Sequence, residues 1–185
     1  MEGSCKALII VSIVAHLIVV ANGENATLIL LINQTCKQTN NYDLCVTTLN
    51  SDPKTGNAKD MRDLATIMVS HVDDEASKTR DHISGLLKNR TIDKPTKKLL
   101  KACIDRYNII IINWLKEVRE GLSYRDYGFA RDSMAAVPTN VELCERSFEA
   151  PIKSPISADS KAMDDLSNVA YDIVFYMFTH PSPPL

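Results

Sequence analysis

Any chemistry at neutral pH would have to start from the histidines and from paired carboxylates. Beyond the N-terminal apolar segment there are three histidines, His71, His82 and His180. His71 and His82 stand 11 residues apart on one helical pattern, at nearly the same azimuth but about 16 Å apart along the axis. They cannot share a metal. His71 and Glu75 form an i,i+4 pair of the ordinary surface kind. Asp73-Asp74-Glu75 and Asp164-Asp165 could work as acid–base pairs, but neighbours on a helix diverge by about 100°, so they read as solvated faces. Lys94, Lys97, Lys98 and Lys101 open a helix, where cations oppose the macrodipole, and read as solvated lysines rather than a docking patch. No HExxH, GxSxG, P-loop or GxGxxG motif occurs, nor the paired Glu-x-x-His set of a di-iron bundle. The expectation is a protein without catalytic residues, metal or cofactor.

The cysteines carry the remaining covalent chemistry. Residues 1–23 read as a secretory signal: a short polar start with Lys6, a 14-residue apolar run Ala7–Val20, and small residues at Ala21 and Gly23. The run is shorter than the roughly 20 residues of a spanning helix, so no membrane association is expected after cleavage. Removing the signal discards Cys5 and leaves Cys36, Cys45, Cys103 and Cys144. An even set in a secreted chain argues for disulfides, and four cysteines allow three connectivities. Spacing favours Cys36–Cys45 and Cys103–Cys144, because eight intervening residues can fold back as a tight hairpin. Zinc is the competing use, but CxxC spacing and nearby histidines are lacking. Three sequons, at Asn25, Asn33 and Asn89, become plausible glycosylation sites behind a signal. Asn89 lies in an expected loop, and Asn33 is close to Cys36.

The elements that would position these residues are helical. The chain has 185 residues, 45% hydrophobic, 24% charged, with a net charge of −2. That is room for one domain with a real core, and it gives no electrostatic footprint for nucleic acid. After a small helical hairpin in residues 24–57 come four amphipathic patterns in 58–180, and a Pro-rich tail over 181–185. The first pattern has Met61, Leu64, Met68, Val72, Ala76, Ile83, Leu86 and Leu87 on one face. The second has Leu99, Cys103, Tyr107, Ile110, Trp114 and Val118, with Ile109–Ile112 and Trp114 read as core. The third has Tyr127, Ala130, Met134, Val137, Val141, Cys144 and Phe148, and the fourth has Met163, Leu166, Ala170, Ile173 and Met177. Asp93 can cap the second, with Pro95 in its first turn. Gly121 should end it, Ser123–Asp126 resembles a capping box for the third, and Pro138 should break the third, with Thr139 and Glu142 recapping it. Pro151 and Pro155 bound the next loop. Connections this short force antiparallel neighbours, hence an all-α, up-down-up-down four-helix bundle with an N-terminal disulfide-clipped hairpin. A helical cytokine would need two long crossovers instead.

Cys36-Lys-Gln-Thr39 through Asn41-Tyr42-Asp43-Leu44-Cys45, then Asp52-Pro53-Lys54, resembles the plant invertase and pectin methylesterase inhibitor family. Lys101-Ala-Cys103 with Tyr107, Asp126-Tyr127, and Cys144-Glu145 with Phe148 match its later signposts. The likeness runs from about Leu28 to Phe178 and is strongest to the pollen-allergen branch. It implies a bundle with a projecting hairpin, both bridges as above, and no enzymatic activity. It further implies secretion to the apoplast or vacuole and occlusion of a partner's active-site cleft, either pectin methylesterase or acid invertase. Invertase inhibitors of the family carry Pro-Lys-Phe at the turn between the second and third bundle helices. Here that slot is Tyr127-Gly128-Phe129: the Phe is kept, and the Pro and Lys are not. Binding is therefore expected around Ser123–Arg131, with Asp126, Tyr127, Gly128, Phe129 and Arg131 as contact residues, Phe129 exposed and Tyr127 in phase with the core. A non-inhibitory binding or signalling bundle on the same scaffold is the alternative function.

Overall fold

A computed structural model describes residues 26–148 and 150–181; the leader assigned to 1–23 and Asn25 lie outside the described residues. Among the described residues there is no strand. Helix α1 covers residues 26–36, α2 Tyr42–Ser51, α3 Met61–Lys88, α4 Lys94–Ile109, α5 Leu115–Tyr124, α6 Tyr127–Glu145 and α7 Ser157–Thr179. A π turn over Ile110–Trp114 joins α4 to α5 as one long rod, and a 3₁₀ turn over Pro53–Asn57 follows α2.

The caps follow local chemistry. Asn41, Asp60, Asp93 and Asp126 each accept a backbone N–H of the first turn they precede, from Leu44, Asp63, Thr96 and Phe129. Pro95 sits in the first turn of α4, where its missing N–H costs nothing. Asp52 caps the 3₁₀ turn by accepting from Lys54 N.

The rods α3, α4–α5, α6 and α7 form a four-cornered antiparallel bundle. Its walls are α3 against α4, α5 against α6, α6 against α7, and α7 against α3. Leu64, Met68, Val72, Leu100, Tyr107, Leu115, Met134, Met163, Ala170 and Ile173 are all buried between them. Cys103–Cys144 bonds α4 to α6, and Cys36–Cys45 bonds α1 to α2. The hairpin does not project freely. Its α2 arm lies against α3 and α7, Cys36, Cys45 and Leu49 are fully buried, and Asn40 N donates to Asp172 on α7 at 2.9 Å.

Several expectations are corrected. Pro138 does not break α6, which runs from Tyr127 to Glu145. The proline removes the donor to the Met134 carbonyl, but the next two carbonyls gain side-chain donors. Thr139 Oγ1 donates to Ala135 O at 3.0 Å and Asn140 Nδ2 to Ala136 O at 2.8 Å. Val137, Val141 and Cys144 stay buried on either side, and that packing outweighs the roughly 3 kcal/mol cost of an internal proline. Glu142 recaps nothing; it pairs with Arg146 on the surface at 3.3 Å.

Gly121 does not end the second rod either, which continues to Tyr124. Ser123 is inside α5, so the cap of α6 is Asp126 alone, not a capping box. The apolar run at the π turn is only partly core. Ile110 is buried, while Ile109 is 40% and Ile112 64% exposed, and Trp114 is half-buried. The π turn adds one residue, so the buried series steps Cys103, Tyr107, Ile110 and then five places to Leu115, Val118 and Leu122. The core phase ahead of it also runs through Leu100 instead of Leu99.

His71 faces Asp52 of the hairpin, 3.1 Å from Nε2 to Oδ2, instead of pairing with Glu75. The i,i+4 geometry was open to it, but the folded-back hairpin supplies a nearer carboxylate. Asp73 likewise takes Arg119 of α5 at 2.9 Å, so that acidic run is not wholly a solvated face.

Candidate functional site

The connection between α5 and α6 is two residues, Arg125 and Asp126. Arg125 ends α5 in the left-handed region, φ 60°, and its N–H returns to Leu122 O. Asp126 starts α6, with Oδ1 accepting from Phe129 N at 3.0 Å and its carbonyl accepting from Ala130 N at 3.0 Å. So abrupt a reversal brings the helices close together. A Cβ on Gly121 would stand 2.8 Å from both Ala130 Cβ and Ala130 N, and 2.9 Å from Asp126 O. Glycine is required there by the close approach, not by its dihedral freedom. Leu122 and Ala130 are buried on either side of the turn.

On that base the side chains separate by phase. Tyr127 is half-buried against the core, and Phe129 is 42% exposed. Tyr124, one turn beyond Gly121, is 83% exposed. Gly128 faces the Phe178 ring of α7, which lies 3.5 Å from where a Cβ would be, an ordinary contact distance. The Arg131 guanidinium lies over that ring, 4.1 Å from its centroid, and bonds Asp132 through Nε at 2.9 Å. Two hollows flank the turn. One of about 260 Å³ is walled by Asp60, Met61, Arg62, Arg125, Tyr127, Tyr176, Met177 and His180. The other, about 460 Å³ and open, is walled by Tyr124, Arg125, Asp126, Tyr127, Gly128, Phe178 and Pro181.

The five residues expected to make contact therefore fall at one end of the bundle, in different situations. Asp126 is committed as a cap, Tyr127 seals the bundle end, Gly128 is a packing position, Arg131 is held on Phe178, and Phe129 presents free aromatic surface. The expected span Ser123–Arg131 took in Tyr124 and Arg125 without naming them as contacts, and Phe178 was missed. The periodicity of α7 marks Phe178 as off-core, but nothing in the sequence places α7 beside the turn.

Elsewhere, no group of three or more His, Cys, Asp or Glu could hold a metal among the described residues. His82 Nδ1 lies 2.9 Å from Asp159 Oδ2, joining the end of α3 to the start of α7. Asn89 is exposed at the end of α3, with Oδ1 accepting from both Thr91 N and Thr91 Oγ1 at 2.9 Å. Asn33 is half-buried on a helix and accepts from Tyr42 OH at 2.9 Å, while Thr35 of the same sequon is fully buried. Among the described residues no helix is long and apolar enough to cross a membrane.

Comparison with known proteins gives this geometry a lineage. A protein of Arabidopsis thaliana named cell wall / vacuolar inhibitor of fructosidase 1 is 32% identical over 145 residues, covering 78% of this chain and 68% of that protein. The pectinesterase inhibitor of Actinidia deliciosa is 29% identical over 142 residues, covering 75% of each. Among solved structures, a mutant form of a pectin methylesterase inhibitor from Arabidopsis superposes with a TM-score of 0.62 at 22% identity, covering 76% of this chain and 92% of that one. At that identity the likeness speaks for the fold. Residues 30–173 match the family described as plant invertase/pectin methylesterase inhibitor, a span that holds both disulfides and the α5–α6 turn, and the chain belongs to that family of enzyme inhibitors.

Proposed function

We propose that this chain is a secreted plant inhibitor that blocks the active-site cleft of one cell-wall carbohydrate enzyme, acid invertase or pectin methylesterase, with its α5–α6 turn. The observation that carries this reading is the turn itself: an exposed Tyr124 and Phe129 held on a two-residue reversal with buried residues at its base. A cleft is blocked by something convex and stiff, and exposed aromatic area is what interface hot spots use. Relatives named as inhibitors of fructosidase and of pectinesterase both align with most of the chain, which is why both enzymes are targets to test. The contact set is Asp126, Tyr127, Gly128, Phe129 and Arg131, joined by Tyr124.

Secretion to the cell wall or vacuole follows the assigned leader over residues 1–23. Asn89 is the proposed glycan acceptor at the far pole of the bundle, away from the turn; Asn25 and Asn33 are the weaker sequons. The experiment is a titration of the purified, disulfide-intact protein against both enzymes. Loss of one activity at near-stoichiometric inhibitor is expected. Full activity of both at large excess would overturn the reading in favour of a non-inhibitory bundle.

A further inference from the structure

The α5–α6 turn contains a cation that the fold does not use. Arg125 is the one non-glycine residue with positive φ among the described residues, at 60°. It occupies the position after a helix C-terminus where glycine or asparagine ordinarily relieves the left-handed conformation, and an L side chain there is strained. Its guanidinium repays none of that within the fold. Arg62, Arg80, Arg106, Arg119, Arg131 and Arg146 each have a polar partner. Among the described residues Arg125, which is exposed, has none, and the other unpartnered arginine, Arg90, is at the opposite pole.

The surroundings of Arg125 fit a ligand from outside. Its side chain stands between the two hollows of the turn, with Tyr127 common to both walls and Tyr124, Phe178, Tyr176 and His180 around them. The charged groups facing it are Asp60, Arg62, Asp126 and His180. Asp126 is committed to Phe129 N. Asp60 caps α3 through Asp63 N at 2.9 Å and lies 3.9 Å from Arg62. Neither carboxylate pairs with Arg125, so the tip of the turn presents a guanidinium with its donors free beside aromatic surface. A guanidinium in that setting binds a carboxylate by two parallel N–H···O bonds, and the pair strengthens when the aromatic walls and a docked partner exclude water.

We infer that Arg125 is the specificity-determining cation of the turn, and that it receives a carboxylate from the cleft of the inhibited enzyme. This rests on the inhibitor reading above. The test uses a substitution that should improve the fold while removing the contact. R125G relieves the left-handed strain, so its Tm should hold or rise, by up to about 2–4 °C for a domain of this size. Its inhibition constant should rise roughly thirtyfold or more against whichever enzyme the wild type inhibits. R125K should recover part of that loss, and R125E should lose more. Wild-type inhibition unchanged in R125G and R125E overturns this inference while leaving the inhibitor reading intact. Inhibition of neither enzyme by the wild type removes both. Arg125-dependent binding of oligogalacturonate in the absence of enzyme, with enzyme inhibition unaffected by R125G, overturns it in favour of a polysaccharide site.

Discussion

Replacing Gly121 with alanine should reverse the usual sign of that substitution. In a helix interior the change ordinarily stabilises by about 1 kcal/mol, because glycine gives up more backbone entropy on folding. At this position the new methyl would stand 2.8 Å from Ala130 Cβ and Ala130 N, and 2.9 Å from Asp126 O. Comfortable carbon contacts lie near 3.5–4.0 Å. Two of those three atoms are backbone of the turn and of α6, so no rotamer change relieves them, and α6 has to retreat from α5. Overpacking of this kind costs about 1–3 kcal/mol. Set against the propensity gain, the net loss is up to about 2 kcal/mol, or a fall in Tm of up to about 8 °C. Gly85 supplies the control: it is exposed on α3, and a Cβ there meets nothing within 4 Å. G85A should therefore raise Tm by about 2–4 °C in the same thermal melt, with disulfides intact. Because the strain of G121A falls at the base of the turn, inhibition should weaken along with stability. A G121A protein that melts at or above the parent temperature would refute the close-contact reasoning.

Phe129→Ala should weaken inhibition by about 2 kcal/mol, as for other aromatic hot spots, with Tm nearly unchanged, because the ring is 42% exposed and offers little core packing; equal losses of affinity and stability would make the ring structural instead. Burial pushes the Tyr107 phenol from 10.0 up to about 12, so its neutral form is favoured by the fold and stability is lost as pH rises between those values, by roughly 2–3 kcal/mol. The Tyr107 hydroxyl faces those of Ser160 and Thr79 inside the bundle, but in a geometry too poor to make a full hydrogen bond, so Tyr107→Phe should be within about 1 kcal/mol of wild type at pH 7 and should flatten the alkaline limb in urea melts. Joint replacement of Cys103 and Cys144 by serine should cost about 2–5 kcal/mol in the same melts, the usual loss in a small secreted domain.

The sequence was most legible where structure is settled within a few residues. Asp93 followed by Pro95, the reversal between Lys88 and Lys94, and the face Met163, Leu166, Ala170, Ile173 and Met177 could all be read from capping chemistry and periodicity, and the folded chain keeps them. Cys36 and Cys45 fall on two short helices joined by a few residues, so their pairing was also a local matter. The misreadings share a different cause. Pro138 and Gly121 are helix breakers by intrinsic propensity, worth about 3 and 1 kcal/mol, and both are overruled by packing between rods that are distant in sequence. The π turn shifts the core phase by one residue, which a fixed period cannot express, and so Trp114 was placed on the core face that Leu115 takes, while Ile109 and Ile112 were assigned inward on their apolarity alone. The pairing of His71 with Asp52 depends on where the hairpin folds back. At the candidate site, the exposure of Phe129 could be read from phase within α6, whereas the neighbourhood of Phe178 and the left-handed Arg125 are products of the bundle's closure.

That closure explains how a two-residue turn can serve as a binding element at all. A loop that orders on binding surrenders part of its contact energy to lost conformational freedom, about 0.5–1.5 kcal/mol for each immobilised side chain. Here Leu122 and Ala130 are buried immediately before and after the reversal, Gly121 locks the two helices at contact distance, and Asp126 spends its carboxylate on fixing the first turn of α6. The Cys103–Cys144 bond then ties α4 to the far end of α6, so the second rod and α6 are fastened at the opposite pole as well as at the turn. The backbone beneath Tyr124, Arg125 and Phe129 is thus paid for by folding, leaving only side-chain rotamers to order on contact. The same rigidity would limit the turn if it is the element that enters a cleft: unable to reshape to a second one, it would discriminate between the two candidate enzymes by shape and by one charge, and a single substitution at Arg125 tests the charge.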